Sequence, residues 1–108
     1  MDLLVERVAW RRHGVANDFV GSLRAGCDGI RLDGRDPRTG VYVTLSIPPD
    51  EVEHVYASPT APEQVVVELG EAEPIVLRRI QSGPLLAHLL ARRLRGVLLL
   101  PRLHVPGG

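Results

Sequence analysis

The sequence contains no lysine: all 13 of its basic residues are arginine. With Val, Ala, Leu and Gly abundant, that bias points to a GC-rich, bacterial genome rather than to any chemistry. A basic excess is missing too. The 13 acidic residues leave the formal net charge at zero and the pI near 6.9. That argues against a nucleic-acid partner, whose phosphates call for a clear surplus of positive charge. Cys27 is the single cysteine, so no internal disulfide can form, which fits a reducing, cytoplasmic setting. No window of about 18 uncharged apolar residues occurs, so no membrane-spanning helix is expected. The start, Met1-Asp2-Leu3-Leu4-Val5-Glu6-Arg7, is charged too early for a secretory leader.

Catalytic and metal-binding patterns are scarce as well. Cys27 has no signature that pairs it with a base, which a nucleophile needs within hydrogen-bond reach. His13, His54, His88 and His104 lack the spacing of metal ligands. Asp33 and Asp36 bracket Gly34, but the remaining positions of a calcium loop are absent. Glu51 and Glu53, next to Pro48-Pro49, read as a solvated turn rather than an acid/base pair. No glycine motif follows a strand and opens a helix as a phosphate cradle would. The expectation is no catalytic, metal or cofactor-binding residue, and no cofactor.

What is present is one amphipathic helix after a run of strands, within one domain at 108 residues. Residues 83–95 are bounded by Ser82 as N-cap and Pro84 in the first turn, with Gly96 as the stop. Leu85, Leu86, Leu89, Leu90 and Leu94 share a broad predicted face, and Arg92, Arg93 and Arg95 crowd the last turn. Upstream, alternation and turn residues predict about seven strands: 3–10, 19–25, 30–33, 41–47, 53–58, 64–69 and 75–80. Val41, Val43, Leu45 and Ile47 are expected on one side of the fourth, and Tyr42, Thr44 and Ser46 on the other. Short connections favour antiparallel hairpins, and closure into a small barrel with the helix over one end would hide the edges. The fold class is therefore mainly β with one C-terminal helix, α+β.

Three passages resemble the pleckstrin-homology-like family, notably its small bacterial members. They are Cys27-Asp-Gly-Ile-Arg-Leu-Asp-Gly34, the run from Val43 through Ile47-Pro48-Pro49 to Val55, and the closing helix from Leu85 to Leu94. The likeness spans residues 3–95 and implies a seven-stranded barrel or sandwich capped by the helix. It places a PH-like domain at 1–96 and leaves 97–108 as an apolar tail. The only tryptophan is Trp10, in the first strand, whereas the eukaryotic family carries one in the helix. Arg11, Arg12 and Arg24 are a thin version of the basic residues by which family members bind phosphoinositides.

The favoured expectation is a non-catalytic protein-interaction module, with self-association as one form of that interaction. A membrane-surface module recognising anionic lipid and a small ligand-binding or enzymatic barrel are the alternatives. The candidate contact residues are Arg11, Arg12 and Arg24, with Leu98, Leu99, Leu100, Arg102 and Leu103 of the tail. An apolar run at 97–100 needs cover, either by turning back onto an open sheet edge or by packing on a second copy as a homodimer. Charge is also segregated along the chain. Residues 50–77 hold acids and no base, and residues 78–108 hold arginines and no acid. The simplest expectation is that these two stretches face each other.

Overall fold

The computed structural model of the chain describes residues 4–12, 18–94 and 98–99. Seven antiparallel strands follow one another: β1 (Leu4–Arg12), β2 (Phe19–Gly26), β3 (Gly29–Arg35), β4 (Tyr42–Ile47), β5 (Val52–Ala57), β6 (Val65–Leu69) and β7 (Ile75–Arg78). A single 3-10 turn, Pro49–Glu51, joins β4 to β5, where Pro48-Pro49 ends the strand. The helix α1 (Gly83–Arg93) comes next, then a two-residue strand β8 (Leu98–Leu99).

All the strands belong to one sheet, in the order β4-β3-β2-β1-β7-β6-β5-β8. Two meanders, β1 to β4 and β5 to β7, join where β1 pairs with β7. Inward-facing residues of both meanders share a single core with α1, so the sheet curls round on itself. Its ladder stays open among the described residues, with β4 and β8 as the two ends.

Period-two alternation decides which side chains enter that core. On β2 and β3, Leu23, Ala25, Ile30 and Leu32 are buried; on β6 and β7, Val65, Val67, Ile75 and Leu77 are buried. On β4, Ile47 is buried and Val43 and Leu45 pack partly against the core, while Val41 just before the strand is exposed. Trp10 is only 2% exposed although it lies in an early strand. Its indole N–H donates to the Asp33 carbonyl at 3.1 Å, and its ring sits 4.9 Å from that of Phe19. Gly34 makes room for this: a Cβ there would lie 2.7 Å from Trp10 Nε1 and 2.6 Å from Phe19 Cβ.

The helix begins as its sequence predicts, with the Ser82 hydroxyl accepting from the Leu85 N–H at 3.3 Å. The backbone N–H of Gly83 donates to the Pro62 carbonyl at 2.8 Å, tying that start to the loop before β6. The helix seats chiefly on β5, with contacts to β6, β1 and β2. Gly83, Leu86, Ala87 and Leu90 form its buried stripe. That stripe is narrower than the predicted face. Leu85 is 57% exposed, because it lies on the far side of the helix from Leu90. The helix also stops at Arg93 rather than 95: Leu94 leaves helical geometry and turns fully into the core.

Of the tail, Leu98 and Leu99 pair in parallel with His54 and Val55 of β5, which is the intramolecular arrangement for those two residues. Leu100, Arg102 and Leu103 lie outside the described residues, as does the helix-stop Gly96.

Candidate interaction face

The β2–β3 hairpin sets the geometry of the most unusual surface. Its turn is only Cys27-Asp28, with Gly26 opposite Gly29. Gly29 takes a φ of 120°, and a Cβ on it would run into the Ile47 carbonyl oxygen, so the turn is closed by a residue without a side chain. From that turn the register runs without a shift and places Arg24 directly opposite Arg31. Since Leu23, Ala25, Ile30 and Leu32 face inward, both arginines face out, and both are exposed.

The row continues across the sheet. Val5 of β1 lies beside Arg24, and Ser46 of β4 beside Arg31. The same parity puts Arg7, opposite Ser22, and Arg35, opposite Val20, on this outer face. Five arginines of β1 to β4, Arg7, Arg11, Arg24, Arg31 and Arg35, therefore share it with the acid Asp33. Asp33 is already engaged: its Oδ1 accepts from the Thr44 hydroxyl at 2.9 Å and lies 3.6 Å from Arg31 Nε. Arg24 has no salt-bridge partner among the described residues. An open groove of about 430 Å³ runs beside the pair, lined by Arg24, Arg31, Gly29, Ser46 and Pro48. Like charges placed directly opposite on a ladder oppose pairing, so this row does not serve the fold.

The other predicted arginines, Arg11 and Arg12, lie at the far end of β1. Arg11 lies along β1 from Val5, about 20 Å distant at about 3.3 Å per residue, so the structure does not bring it beside Arg24. It is occupied by Asp18, whose Oδ1 is 3.8 Å from Arg11 Nε and whose Oδ2 accepts from Arg78 Nη1 at 3.0 Å. Arg12 is exposed at the end of β1. Sequence reasoning missed Arg7, Arg31 and Arg35. The signal was available for Arg31, since Arg24 and Arg31 are symmetric about the Cys27-Asp28 turn.

Two other polar clusters lie on and beside β5 and β6. On β5 and β6, Glu68 accepts from His54 Nδ1 at 3.1 Å and from the Tyr56 hydroxyl at 3.3 Å. Burial, reinforced by the Glu68 carboxylate, pushes the Tyr56 phenol above its ordinary pKa. At the adjoining end of the β5–β6 pair, Asp50, Glu51 and Glu71 line a groove of about 260 Å³, where the Gly70 N–H donates to the Glu51 carbonyl. Neither cluster gathers a metal set: no group of three or more His, Cys, Asp or Glu side chains among the described residues is placed to hold an ion. Cys27 is exposed at its turn. No ion pair among the described residues joins 50–77 to 78–108; Arg78 instead reaches back to Asp18. No described helix is long and apolar enough to cross a membrane. Comparison with protein-family models, curated proteins and solved structures finds no match to the chain.

Proposed function

We propose that this chain is a non-catalytic protein-interaction module that recognises an acidic partner through the outer face of β1 to β4. The Arg24–Arg31 pair carries this reading. Two exposed arginines opposite each other, one without an internal acid, cost the free protein stability and gain a partner only when a carboxylate or phosphate arrives. The strand order with a C-terminal helix is compatible with a PH-like fold, and that family assignment, with a cytoplasmic bacterial setting, belongs to the same reading.

A panel of acidic and basic peptides, beside vesicles with and without anionic lipid, tests it. The expected result is selective binding of acidic peptides that weakens at least about tenfold in the Arg24→Glu, Arg31→Glu variant and falls as salt rises. Binding to anionic vesicles alone would replace it with the membrane-surface reading. Self-association through the tail is a separate proposal; sedimentation of the full chain as a monomer at high micromolar concentration would refute it.

A further inference from the structure

The basic face ends at an open edge. Among the described residues β4 has a strand on one side only, that of β3. Its sequence, Tyr42-Val43-Thr44-Leu45-Ser46-Ile47, holds no charge, no proline and no glycine. Its register with β3 runs without a bulge. Native sheets guard long edges with lysine, proline, bulges or short strands, and β4 has none of these. The opposite end of the sheet differs, for β5 is met there by β8. An unguarded six-residue edge offers a row of backbone donors and acceptors to an extended chain.

We infer that the β4 edge takes an extended acidic segment of another protein, which joins the sheet as a further strand. This rests on the proposed interaction face and adds how the partner is held. An incoming strand lies about 4.8 Å from β4 and about twice that from β3, within reach of the long Arg31 side chain. Its residues beside Tyr42, Thr44 and Ser46 share the outer face with Arg24, Arg31 and Arg35, so acids suit those positions. Its alternate residues fall on the side of Val43 and Leu45, which pack against the core, so apolar residues suit those. The fitting segment alternates acidic and apolar side chains.

Charge selects this occupant over two others. A second copy paired edge to edge would set two arginine-rich faces side by side. The chain's own residues 100–108 carry Arg102 and no acid, the wrong sign for this face.

The experiment uses the full chain and a fluorescein-labelled peptide of about nine residues alternating Glu and Val, the minimal mimic of strand addition. Its partners are a Lys/Val peptide and a Glu/Val peptide N-methylated at every residue, which keeps the charge but has no backbone donor for a ladder on either edge. Anisotropy should show binding of the first peptide only, weakened at least about tenfold by Arg24→Glu with Arg31→Glu. Bound peptide should slow amide exchange in β4. Tight, arginine-dependent binding of the N-methylated peptide, with β4 exchange unchanged, would overturn strand addition while leaving the face as the binding surface. No peptide binding up to about 1 mM, which is barely −4 kcal/mol, would overturn both. A dimer that Thr44→Lys dissociates would show a second copy on β4 and overturn the acidic-segment assignment.

Discussion

Gly34 shows how one missing side chain shapes the N-terminal meander. The indole of Trp10 reaches the Asp33 carbonyl only because no Cβ stands at 34. Gly34→Ala should therefore destabilise the fold by about 1–3 kcal/mol through overpacking. A urea melt followed by fluorescence of the single tryptophan measures it, and an unchanged midpoint would mean the ring is not seated there. Tyr56 makes a pH prediction. Its phenol is held protonated in the fold by burial and by Glu68, so its folded pKa exceeds its unfolded value. The folded state then binds more protons above the unfolded pKa, and stability falls as pH rises through about 10 and beyond. The difference between wild type and Tyr56→Phe in urea melts should stay constant below about pH 10 and shift against wild type above it. Parallel curves would show that Tyr56 is not the group responsible.

The helix is where element-level reasoning succeeded and then overreached. Its N-cap, its first-turn proline and its central leucines were legible, because capping and period depend on local geometry alone. The width of its buried face was not. A helix lying along one part of a curled sheet buries only the stripe that meets it, and Leu85 is left outside. Leu90→Ala should cost about 2–5 kcal/mol, as truncation of a fully buried leucine does. Leu85→Ala should change stability by less than about 0.5 kcal/mol, as surface substitutions do. Chemical denaturation of both variants checks the pair, and equal losses would mean that the helix is rotated from the position described.

Across the whole molecule, the sheet order predicts unequal protection. β1 has hydrogen-bonded neighbours on both sides, in β2 and β7, whereas β4 has one and β8 is two residues long. Hydrogen exchange by the free chain should be slowest in β1, β2 and β7 and fastest at β4 and β8. Strong protection of β4 without any partner would indicate that its edge is already covered. The seven strands and most of their inward residues follow from the sequence by itself, and the Cys27-Asp28 turn carries the signal for the Arg24–Arg31 pairing although Arg31 was not singled out; Val41, expected inward, is exposed. Alternation and a two-residue turn are local properties, and a hairpin register follows from its turn. The pairing of β1 with β7, the parallel docking of Leu98 and Leu99 on β5, and the separation of Arg11 from Arg24 were decided only in the tertiary structure. Each depends on contacts between segments distant along the chain. The same holds for the charge pattern. Residues 50–77 and 78–108 do meet, since α1 and β8 lie against β5, but no ion pair among the described residues joins them, and strand order carried Arg78 to Asp18 instead.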